Sequence, residues 1–107
     1  MIQTIESSLS IPLDKLKLKL HEHYQDRLES LLLYDAPVSQ DDVEFKIVVV
    51  LKGEVNPLRE IKENSTWLAE LCLESDTIMR CIYLSCEQFQ NRDDPFIGEI
   101  KRYGIEL

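Results

Sequence analysis

The run Ile47–Leu51, IVVVL, is opened by Glu44-Phe45-Lys46 and closed by Lys52-Gly53. It constrains the fold of this chain more than any other stretch. Four of its five residues are β-branched, the side chains that pack best on a pleated surface, so Glu44 to Leu51 reads as a central strand. Glu44 and Lys46 alternate into its mouth, and charge at the entrance of a buried strand needs a reason.

The neighbouring segments fall into place around that strand. Leu28 to Tyr34 is short and apolar, and the following stretch with Pro37, Ser39, Gln40, Asp41 and Asp42 has the composition of a turn. So few residues separate the two strands that antiparallel neighbours are the simplest pairing. Upstream, Leu13, Leu16, Leu20 and Tyr24 recur at helical spacing, with Ser10 as the expected cap and Pro12 in the first turn. LKLKL also alternates as a strand would, but length and the capping signal favour a helix. Residues 1 to about 9 read as a loose arm or a short edge strand.

Downstream, Asn56 is a good helix cap and Pro57 fits the first helical position. Leu58, Ile61, Ser65, Leu68 and Cys72 form one stripe, widened by Trp67 and Leu71, and are the expected core face of that helix. A strand is expected over Thr77 to Ser85, a short helical or irregular piece around Phe89, and a last helix from Pro95 with Gly104 as its C-terminal cap. The order helix, strand, strand, helix, strand, helix gives a small α/β (α+β) sandwich. Its sheet is expected to be mixed or antiparallel, with three to four strands. At 107 residues this is one domain over 1–107, since single cores take roughly 100 to 150 residues.

Charge narrows the partners. A net charge of −8 repels phosphates, and the only dense basic stretch, Lys15, Lys17 and Lys19, is diluted by Glu22 and Asp26. Nucleic acid is therefore not an expected partner, and a basic protein fits better. No apolar run approaches the roughly 18 to 20 residues that span a bilayer, so no membrane is expected. MIQTIESSLS lacks the basic start of a secretory signal, and the expected location is the cytoplasm. Cys72, Cys81 and Cys86 match no zinc spacing and read as small buried hydrophobes. His21 and His23, two apart, read as surface residues.

Four segments in this order carry a resemblance: LLLYDA, DVEFKIVVVLKGEVNPLREI, the strand ending YLS, and PFIGEIKRYGIEL. Over roughly Leu13 to Leu107 the chain resembles the minimal nucleotidyltransferases (MNT), relatives of DNA polymerase beta. In that family a strand ending in a Gly-Ser turn precedes an Asp-x-Asp strand. The two aspartates share a face because strand period is two, and with a third carboxylate from a later strand they hold Mg2+ on the nucleotide phosphates. The Gly-Ser turn lets backbone N–H groups approach those phosphates.

Matched residue by residue, the paired aspartates fall on Glu44 and Lys46, the Gly-Ser turn on Asp35 and Ala36, and the third carboxylate on or beside Arg80. Only Glu44 keeps a metal-binding group; Asp41 or Asp42 could substitute only if the loop folded back. The resemblance thus implies a degenerate nucleotidyltransferase fold that needs neither Mg2+ nor ATP. Three functions stay open. One is a non-catalytic interaction or antitoxin-like protein, because MNT proteins are commonly paired with HEPN toxins. Another is an active Mg-dependent nucleotidyltransferase that adenylylates a protein. The third is a structural partner of an active paralogue, or a homo-oligomer.

Overall fold

The structure is a computed structural model describing residues 7–34, 44–91 and 93–107, with the side chains of 7–11 and 44 outside that description. The chain runs α1 (Ser7–Tyr24), a 3-10 turn (Gln25–Arg27), β1 (Leu28–Tyr34), β2 (Glu44–Leu51) and α2 (Pro57–Ser75). It continues through β3 (Ile78–Ser85), α3 (Cys86–Phe89), α4 (Pro95–Tyr103) and β4 (Ile105–Glu106). The four strands form one mixed sheet in the order β3-β2-β1-β4. β1 pairs antiparallel with β2 and with β4, while β2 and β3 run parallel, joined by α2 as the crossover. The expected small α+β sandwich is the observed architecture.

The apolar run explains the layering. Alternate residues of a strand face opposite sides, so a strand apolar at every position must be covered twice. On one side Phe45, Ile47, Val49 and Leu51 join Leu31, Leu33, Met79 and Tyr83 beneath Leu13, Leu16, Leu20 and Tyr24 of α1 and Leu71 of α2. On the other, Val48 and Val50 are covered by Ile97 and Ile100 of α4, with Phe89 of α3 packed alongside. Residues 47 to 51 are completely buried. Among the described residues no helix is long and apolar enough to cross a membrane.

Three features correct or refine the expectations. First, α1 begins at Ser7, a turn before the expected cap at Ser10, so Pro12 lies inside the helix. A proline there has no N–H to offer the preceding turn, which is why the sequence reads as a helix start. Second, β4 carries too few residues to show a period; it forms because Leu107 N–H donates to Leu31 O at 2.9 Å, and Ile105 pairs with Leu33.

The third correction concerns α2. Its helical cap is as expected, with Asn56 accepting from Arg59 N–H at 3.3 Å and Pro57 at the first position. Its apolar stripe is the core face only in part, since Leu71 is buried and Trp67, Leu68 and Cys72 pack against the core while the residues before them do not. Leu58 is 81% and Ile61 50% exposed, Ser65 is exposed, and Leu68 and Cys72 are half-buried. The helix instead buries Glu60, Asn64 and Leu71, with Trp67 half-buried between them.

Turns hold this orientation. Arg27 donates to the carbonyls of Lys52 (3.3 Å) and Glu54 (2.8 Å), pinning the β2–α2 connection, where Gly53 takes φ +80°. Gly104 does cap α4, but with an extended backbone. What requires glycine is space, since a Cβ there would stand 2.5 Å from Ile100 O.

Candidate functional site

The antiparallel β1–β2 register sets Tyr34 opposite Lys46, and the parallel β2–β3 register sets Lys46 opposite Arg80. The three form one row across the sheet, at the amino ends of β2 and β3. Strand alternation places Lys46 on the side of Val48 and Val50, the side covered by α4. There Tyr34 meets Phe96 edge-on, ring centroids 6.0 Å apart at 86°, and its hydroxyl donates to Glu99 at 3.0 Å. Lys46 is half-buried and Arg80 exposed, and each of the three side chains engages further groups.

The positions singled out in the sequence are thus partly reunited. Lys46 and Arg80 are registered neighbours; Glu44 is the first residue of β2, paired with Ile78 and two positions from Lys46, with its side chain outside the described residues. Asp35, Ala36, Asp41 and Asp42 also lie outside the described residues. Two adjacent cations do not fit an Mg2+ ion. Unit charges about 4 Å apart at an effective dielectric near 20 interact by roughly 4 kcal/mol, so a lysine in place of an aspartate moves cation binding several kcal/mol the wrong way.

A second cluster escaped the sequence reading. Glu60 is 1% exposed on the inner face of α2. Its carboxylate accepts from Tyr24 Oη at 2.9 Å and from the Arg59 guanidinium at 3.2 Å. Asn64 Nδ2 donates to Tyr24 Oη (2.8 Å) and to Glu60 O (2.7 Å), and Trp67 Nε1 donates to Asn64 Oδ1 at 2.9 Å. Burial alone would raise the Glu60 pKa. The hydrogen bonds from Tyr24 and Arg59 and the charge of Arg59 outweigh it and hold the carboxyl below its ordinary value. Burial, then Glu60, pushes the Tyr24 phenol up, so it stays a donor. A carboxylate so held suits the docking of α1 on α2 and not proton transfer. The signal was present as Glu60, Asn64, Trp67 and Leu71 at helical spacing, disguised because two of the four are polar.

Two concavities flank these elements. At the carboxyl ends of β2 and β3, opposite the cationic row, an open crevice of about 920 Å3 is lined by Gly53, Asn56, Arg59, Ser85 and Gln88, with the acidic Glu54 and Glu87. Along the outer flank of α2, a mostly apolar groove of about 410 Å3 is lined by Ile61, Leu68, Cys72, Met79 and Cys81, together with Arg80. All three cysteines are free and half-buried, packed against the apolar clusters as the small hydrophobes expected, two of them in this groove. Burial pushes the Cys81 thiol up to about 12. His21 and His23 are surface residues, His23 Nε2 lying 3.2 Å from Glu63 Oε1. No family model matches the chain, and no curated protein or solved structure matches it.

Proposed function

We propose that this chain is a non-catalytic interaction protein on a nucleotidyltransferase-like fold, acting in the cytoplasm as the antitoxin-like partner of a HEPN-type protein. The observation that carries the reading is the pairing of Lys46 with Arg80 across β2 and β3. The resemblance calls for two carboxylates at these positions, so the charge there is opposite to what phosphate-bridging Mg2+ requires. An order of elements like that of the minimal nucleotidyltransferases, with the row at the mouth of β2, supports the ancestry. The function left to such a chain is docking, for which neither Mg2+ nor ATP is needed.

Incubation of the purified chain with labelled ATP, Mg2+ and its copurifying protein tests this. The expected result is a stable complex with no label transferred. Transfer that disappears in Glu44→Gln would establish the enzyme instead. Copurification with an active paralogue and not a HEPN-type protein would make the chain a structural subunit.

A further inference from the structure

We propose that two copies of this chain associate through the open edge formed by β3 and the outer flank of α2, giving a two-fold dimer with a continuous sheet. This goes beyond the reading above: the edge and the α2 flank share with the cationic row only Arg80, the row's outermost member.

The sheet order leaves β3 outermost, and among the described residues no strand pairs with its outer side. An edge strand presents a line of backbone N–H and C=O groups that template another strand unless something blunts it. β3 has little of that protection: IMRCIYLS is eight residues long, contains no proline and carries a single charge, Arg80. At about 3.3 Å per residue the edge runs roughly 26 Å.

Above it lies the outer flank of α2, where the stripe that the sequence marks as core leaves Leu58 and Ile61 exposed. Leu58, Ile61, Leu68, Ala69 and Cys72 occupy one side of α2, adjacent to the buried stripe, and all but Leu58 line the groove beside β3. Strand edge and helix flank together form a cut face of the two-layer structure. That face is roughly 26 Å long and about 15 to 20 Å deep, on the order of 400 to 500 Å2 per copy before surface relief is counted. Two such faces bury on the order of 800 to 1,000 Å2 in all, the size of a weak, reversible association.

Charge selects the occupant. The whole chain carries −8, so copies repel at long range, but among the described residues no carboxylate lines this groove. Glu63 and Glu74 of α2 are turned toward α1, where they meet His23 and Lys15. A basic partner would find no carboxylate to pair with and would meet Arg80, whereas a second copy sets mostly apolar surface against its like. A two-fold axis perpendicular to the sheet pairs β3 antiparallel with its twin and keeps each face on its own side. Two four-stranded sheets become one, and α2 lies beside its counterpart.

Sedimentation equilibrium of the full chain across a micromolar concentration series tests the dimer. Ile61→Glu and Ala69→Glu, both at exposed positions, put like charges across the axis while leaving the circular dichroism unchanged. Each is expected to weaken association at least about tenfold. Tyr103→Glu, on α4 beyond the opposite face, is expected to leave it intact, and β3 amides are expected to exchange more slowly as concentration rises. A wild-type chain that stays monomeric throughout overturns the proposal. So does a dimer that survives both α2 substitutions, or one lost with Tyr103→Glu.

Discussion

At the scale of the residue, Glu60 decides how the first two helices meet. A carboxylate at 1% exposure is costly unless nearby donors compensate its lost hydration. Here Tyr24 and Arg59 do so. Tyr24→Phe is expected to destabilise the chain by about 1 to 3 kcal/mol in urea unfolding, because it strips a donor from a buried charge and an acceptor from Asn64. The pH dependence has a definite sign. The folded pKa of Glu60 lies below the unfolded one, so its stabilisation is complete above the ordinary carboxylate range and fades as pH falls through the folded value. Urea midpoints measured across that range should fall less steeply in Tyr24→Phe than in the wild type. Sequence alone hid this network because Glu and Asn are seldom buried, so the four-residue stripe they share with Trp67 and Leu71 was not read as a face. The reverse happened at Leu58 and Ile61, where apolar chemistry suggested burial and the helix turned them outward.

At the scale of the element, legibility follows how local the determinant is. β1 and β2 have the expected bounds, and Asn56-Pro57 starts α2 as expected, because caps and β-branched runs act within a few residues. Pro12 misled because it usually marks a first turn, and β4 could not be read because its partner, β1, lies some seventy residues away. Of the candidate site, the Lys46 and Arg80 positions were legible from strand spacing, but their adjacency needed the parallel register. The end of α2 offers a test. Asp76 caps it in the left-handed conformation, φ 55°, with its N–H donating to Cys72 O. A side chain in that region is strained and glycine is not, so Asp76→Gly should stabilise the chain by about 0.5 to 1 kcal/mol. Thermal unfolding should show a higher midpoint; a lower one would mean that the carboxylate itself holds the cap.

At the scale of the molecule, the sheet is assembled from a local hairpin and a distant strand. β1 and β2 can pair early, whereas β3 must wait for the α2 crossover before it lies parallel to β2. Until then one edge of β2 has no partner strand. Its last five residues combine high β-propensity with no charge and no proline, a pattern that templates aggregation when exposed. Lys46 and Lys52 bracket that segment, and flanking charge of this kind disfavours strand stacking between unfolded chains. Lys46→Ile should therefore lower refolding yield in a concentration-dependent way, read as light scattering after dilution from urea. A change confined to the native state would leave that scattering untouched. The lysine at the mouth of β2 then guards the chain before it is folded, by making its most cohesive segment poor at recruiting copies of itself.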